Sequence, residues 1–144
     1  METTDKANAE LQARLDEGKS VLFTPQGISM LPFIQGGRDK VLVRKVELVN
    51  VGDIVLAPHG GRLILHRVYA INGAQLILMG DGNLEGNEVV GKSEVWGKVL
   101  EIIKLDGRSR KPHKAWFWRH TLFIRRPMLK MRRKWYKLRG LNPE

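Results

Sequence analysis

From Ser20 to Leu105 the chain never holds one apolar pattern for long before glycine interrupts it. The interrupted pieces are Val21 to Phe23, Lys40 to Arg44, Asp53 to Ala57, Arg62 to Ile71, Gln75 to Met79 and Glu94 to Leu105. Six such β-like runs separated by glycines in about 85 residues predict a mainly β, antiparallel body. Asn72-Gly73 lies between two runs, and that dipeptide favours a tight hairpin, so these two are expected to pair directly. Upstream, residues 3 to 17 read as a short helix with Thr3 or Thr4 as cap, Leu11 and Leu15 one turn apart, and Gly18 as the stop.

With 144 residues the chain is most simply one folded unit. It divides into an N-terminal helical segment (1–19), a β body (20–105) and a C-terminal tail (106–144). There is no cysteine, which excludes disulfides, thiolate metal sites and a cysteine nucleophile, and the four histidines share no metal-site spacing. Neither a metal nor an organic cofactor is expected.

The net charge of +10 is concentrated in the tail. Residues 107–139 hold 13 of the 25 Lys and Arg and no acid, whereas the remaining 12 basic residues face 15 acidic ones. Trp116, Phe117, Trp118 and Phe123 interleave with that charge. Pro127 opens a pattern in which Met128, Met131, Trp135 and Leu138 recur at helical spacing. The tail therefore reads as a basic amphipathic helix suited to peripheral contact with an anionic membrane surface. Two other readings stay open: the helix packs on the β body, or it meets nucleic acid, which is disfavoured because no base-reading module accompanies it. No run approaches the roughly 20 apolar residues of a membrane span, and the N-terminus lacks an export signal. The expected location is cytoplasmic, or peripheral on a membrane.

Three segments in the β body carry side chains that could do chemistry. In Gly27-Ile28-Ser29-Met30-Leu31-Pro32 the glycine permits a sharp bend and the proline stiffens the exit, so Ser29 would sit on a constrained loop. A serine hydroxyl needs a base. In Leu63-Ile64-Leu65-His66-Arg67-Val68 the period of two puts His66 on one face with Ile64 and Val68, which favours neutral imidazole. Asp81, in Met79-Gly80-Asp81-Gly82-Asn83, could accept a hydrogen bond from that imidazole. Each also has a plain reading, as a turn residue for Ser29 and Asp81 and as a core histidine for His66.

Taken in order, the segments resemble the type I signal peptidase family, relatives of the self-cleaving repressor peptidases. That family carries G-x-S-M-x-P (here Gly27 to Pro32), G-D-x-V (Gly52 to Val55), K-R-V or H-R-V (His66 to Val68), G-D-x-N (Gly80 to Asn83) and G-K-V (Gly97 to Val99). Histidine at the base position is similar to the archaeal and endoplasmic-reticulum subtype. The resemblance implies a signal-peptidase-like antiparallel β-sheet, coiled and barrel-like, with Ser29 as nucleophile, His66 as general base and Asp81 as orienting or structural carboxylate. It also implies an oxyanion site built partly from the Ser29 amide. Two positions depart from the pattern: Gly27 stands where the family often has serine, and Asn87 stands near an expected second aspartate.

The function expected is that of a serine endopeptidase acting on a leader or signal-like peptide. Such a substrate would lie as an added strand along a sheet edge near Gln26, Gly27, Ile28 and Met30. The alternatives are a non-catalytic peptide-binding member of the fold and a basic membrane-surface or nucleic-acid-binding protein. A self-cleaving repressor is disfavoured, because residues 1–20 cannot hold a DNA-binding domain.

Overall fold

The computed structural model describes residues 2–27, 30, 33–81 and 87–112, without the side chains of residues 2–4. Ile28, Ser29, the Gly82-Asn83 half of the turn after Asp81, and the tail helix expected from Pro127 lie outside the described residues.

The first element, α1 (Glu2–Asp16), begins before the expected cap, so both threonines lie within it. Its end follows the expectation: Gly18 adopts φ +81°, and the amides of Gly18 and Lys19 return to the carbonyls of Leu15 and Arg14 at 2.9 and 3.1 Å. Leu11 and Leu15 are buried, and they attach the helix to the sheet.

Eight strands follow: β1 (Val21–Phe23), β2 (Lys40–Arg44), β3 (Ile54–His59), β4 (Arg62–Asn72), β5 (Gln75–Met79), β6 (Glu88–Gly91), β7 (Gly97–Ile103) and β8 (Ser109–Arg110). They form one open antiparallel sheet in the order β1-β2-β7-β3-β4-β5-β6, with β8 also on β7. Strand β6 and strand β8 are absent from the sequence reading because four and two residues carry too little periodicity to see. The expected run Glu94 to Leu105 begins instead with a single 3-10 turn, Lys92–Glu94, before β7.

The β4–β5 hairpin forms as expected, but its two-residue turn is Gly73-Ala74, since Asn72 already pairs with Gln75. Only Gly73 has a positive φ, +60°. Gly97 serves a different purpose, because a Cβ there would sit 2.6 Å from Val43 Cγ1 and 3.1 Å from the Arg44 carbonyl oxygen. Its missing side chain allows β2 and β7 to close.

Strand β3 explains why the body has two cores. Ile54 and Leu56 point to one side, with Leu11 and Leu15 of α1, Val99 and Ile102. Val55 and Ala57 point to the other, with Val68, Leu76, Leu78 and Val90. A central strand buried on both faces reads as a continuous apolar run rather than an alternating one, as Ile-Val-Leu-Ala does here. Among the described residues no helix is long and apolar enough to cross a membrane.

Leu15 is fully buried where α1 meets the sheet. Leu15→Ala should destabilise the protein by about 2–5 kcal/mol through lost burial and the cavity left behind. Urea unfolding of the full chain would show this as a lower midpoint with an unchanged slope.

Candidate active site

The site grows out of a mismatch in strand lengths. Strand β4 pairs with β3 from Arg62 onward, whereas its pairing with β5 begins only at Arg67, opposite Met79. From Arg62 to His66, one edge of β4 therefore has no strand partner among the described residues. A cavity of about 390 Å³ runs along that edge. Arg62 to His66 and Glu88 line one side of it, and Phe23, Pro25, Gln26, Gly27, Met30 and Ile34 line the other. The sheet curls far enough for the end of β1 to face β4 across this groove.

Of the predicted site residues, Gln26, Gly27, Met30 and His66 thus meet in one cavity. Ile28 and Ser29 fall between Gly27 and Met30 in the chain but outside the described residues. Gly27 has φ +83°, the left-handed region in which a serine would be strained, and this accounts physically for glycine at that position. Gly36 packs against the same bend. A Cβ on it would lie 2.6 Å from the Gln26 carbonyl carbon and the Gly27 nitrogen and would overlap the Gly27 oxygen.

His66 is buried on β4, and its Nδ1 lies 2.8 Å from Glu88 Oε2. A carboxylate can only accept, so in the neutral ring the proton sits on Nδ1 and the lone pair on Nε2. The sequence offers Asp81 as a carboxylate that could take this bond, as an alternative to a plain turn residue; the structure places Glu88 at Nδ1. Arg67 Nε and Nη2 instead donate to the two oxygens of Asp81 at 2.8 and 2.7 Å, with both side chains fully buried. Adjacent strand residues point to opposite faces, so the neighbour of Arg67 on β4 cannot share its carboxylate's side of the sheet. Glu88 escaped the sequence reading because its approach to His66 depends on the β5–β6 register, Leu78 opposite Glu88, which brings it to the face of Val68 and His66. The only available signal was an acid opening the short run Glu88-Val89-Val90.

The Arg67–Asp81 pair gathers the other motifs. Arg67 Nη1 donates to the Gly52 carbonyl at 2.8 Å, its guanidinium lies 5.5 Å from the Phe33 ring centroid, and the Asp81 amide donates to Met30 Sδ at 3.4 Å. Beside it Lys98 Nζ lies 3.3 Å from Asp53 Oδ2. Residues from all five short motifs are therefore neighbours in space.

The loop leaving Met30 is fastened by Asp39, which is fully buried. Asp39 Oδ2 accepts from the Gln35 amide at 2.8 Å and from Lys104 Nζ at 2.7 Å, and Lys104 also donates to the Phe33 carbonyl at 2.7 Å. Burial alone would raise the Asp39 pKa, but the Gln35 amide and then Lys104 more than offset it and hold the carboxyl below its ordinary value. Among the described residues no group of His, Asp and Glu could hold a metal.

No protein-family model matches the chain, and no curated protein matches it.

Two outcomes follow for this scaffold. Arg67→Ala, by removing the counter-charge of buried Asp81, should cost about 3–5 kcal/mol, and the Arg67→Met/Asp81→Leu double variant should cost less than Arg67→Ala alone. Urea midpoints of the two variants and the unsubstituted chain provide the check. For Asp39, a folded pKa below the unfolded one means that its stabilisation is complete above the unfolded value and disappears as pH falls through the folded value. Asp39→Asn should therefore lower the melting temperature at pH 7 and flatten its acid-side decline; an unchanged acid limb would count against the assignment.

Proposed function

We propose that the protein is a serine endopeptidase of the signal peptidase type, cutting a leader or signal-like peptide with Ser29 and His66. The observation that carries the proposal is a single groove that holds the His66–Glu88 pair, the residues flanking Ser29, and a β edge that among the described residues has no strand partner and could accept an extended chain. Unpaired strand edges bind extended peptides through main-chain hydrogen bonds, with alternating side chains entering pockets on either side. The signal-peptidase motif order supports the same reading, and so does their convergence around Arg67 and Asp81. On this proposal the fold is the coiled, signal-peptidase-like form of the antiparallel sheet.

In the proposed reaction Ser29 attacks the peptide carbonyl while His66 Nε2 takes its proton. The imidazolium formed is stabilised by Glu88 and returns the proton to the leaving amine. Water, deprotonated by the same nitrogen, then releases the acyl group from Ser29. Asp81 has the structural half of its expected role: with Arg67 it braces the segments that carry Met30 and His66. Substrate contacts fall to Gln26, Gly27, Ile28 and Met30 along one bank of the groove, and the basic segment 107–139 is assigned to peripheral contact with an anionic membrane. No metal or organic cofactor enters the scheme.

Incubating the full chain with a mixed peptide library and reading new termini by mass spectrometry tests the proposal. Cleavage should fall by roughly 10³-fold or more in Ser29→Ala and His66→Ala, and by about 10²- to 10⁴-fold in Glu88→Gln, which disturbs the tautomer but keeps the shape. Cleavage that survives Ser29→Ala would exclude this nucleophile. Peptide binding without any cleavage by the unsubstituted chain would leave the protein a peptide holder rather than an enzyme.

A further inference from the structure

Arg62 begins β4 at the mouth of the groove and lines the same cavity as His66. Its side chain is exposed and has no hydrogen bond or ion pair among the described residues. The other described ionisable residues lining the cavity are His66 and Glu88, and these are engaged with each other at 2.8 Å. Across the hairpin the residue opposite Arg62 is His59, so no acid balances Arg62 from the adjacent strand. Among the described residues nothing neutralises this guanidinium, a fork suited to binding a carboxylate through two parallel hydrogen bonds.

The position along the strand is as informative as the charge. Arg62, Ile64 and His66 share one face by alternation, and four residues of strand span about 13 Å. Leu63 and Leu65 face the other way, towards Met30 and Ile34. A peptide lying beside this edge follows the same repeat. Its side chains alternate between the apolar bank and the bank holding His66 and Arg62, and a residue beside Arg62 lies four positions from the residue beside His66.

We propose that Arg62 is a specificity residue that selects peptides carrying a carboxylate four residues from the position beside His66, as an acidic side chain or a free C-terminus. The proposal rests on the peptide groove described above and names the substrate class that groove takes. Arg62 acts in binding and not in the chemistry at Ser29.

The test uses full-length protein with Ser29→Ala, so that peptides bind without turnover, and blocked nine-residue peptides of alanine and leucine through which one glutamate is walked. Matched glutamine peptides and a glutamate-free peptide with a free or an amidated C-terminus complete the set. Affinity is read by calorimetry, and occupancy of the groove by the NMR shift of the His66 ring. One glutamate position should bind about tenfold or more tightly over its glutamine partner, as a charge-assisted bond allows. The preference should vanish in Arg62→Ala, persist in part in Arg62→Lys, and reverse in favour of glutamine in Arg62→Glu. A gain seen only with the free C-terminus assigns the carboxylate to the chain end. Equal binding of glutamate, glutamine, free and amidated peptides, with the His66 ring shifting in every case, overturns the Arg62 proposal and leaves the groove intact. A His66 ring unmoved by any peptide overturns the groove itself and the specificity proposal with it.

Discussion

The buried Arg67–Asp81 ion pair is the constraint around which the body is assembled. Two charges removed from water cost several kcal/mol each unless every polar atom finds a partner, so Arg67 has to draw groups towards it from distant parts of the chain. Asp81 supplies two oxygens and Gly52 a carbonyl, while the Phe33 ring covers the guanidinium. These partners come from the end of β5, the turn before β3 and the loop after Met30. An apolar centre makes no such demand on its neighbours, whereas an arrangement that left this arginine unmatched would bury an uncompensated charge.

Groove and scaffold then follow from the same strand. Arg67 points into the core beneath the sheet, and its neighbour His66 necessarily points the other way. At Arg67 the pairing with β5 begins, and before it the edge of β4 is free among the described residues. The ion pair thus sits at the boundary between the paired half of β4, which belongs to the sheet, and the unpaired half, which faces the cavity. The ion pair and the imidazole occupy adjacent positions of one strand on its opposite faces.

Much of this was legible in the residues themselves. The positive φ of Gly27, the helix stop at Gly18, the β4–β5 hairpin and the alternation that sets His66 with Ile64 and Val68 all depend on a few neighbouring residues, and all can be reasoned from local sterics. Glu88, Gly36 and Arg62 could not be read in that way. Each matters because of what lies opposite it: an imidazole two strands away, the backbone of Gln26 and Gly27, and the far bank of a groove. Asp81 shows the same limit from the other direction, since its glycine-flanked turn reveals a carboxylate without revealing which of two adjacent side chains on β4 it meets.

By itself, then, the sequence determined a glycine-punctuated antiparallel β body with a short helix before it, the bend at Gly27, and the face of the strand that carries His66. These are consequences of dihedral freedom and period-two alternation, which act over a few residues. Only the tertiary structure decided that Glu88 holds the imidazole, that Asp81 belongs to Arg67, and that an edge of β4 is left without a strand partner among the described residues. Those outcomes turn on the register and length of strands far apart in the chain, which are settled by matching buried charge and apolar surface across the whole sheet.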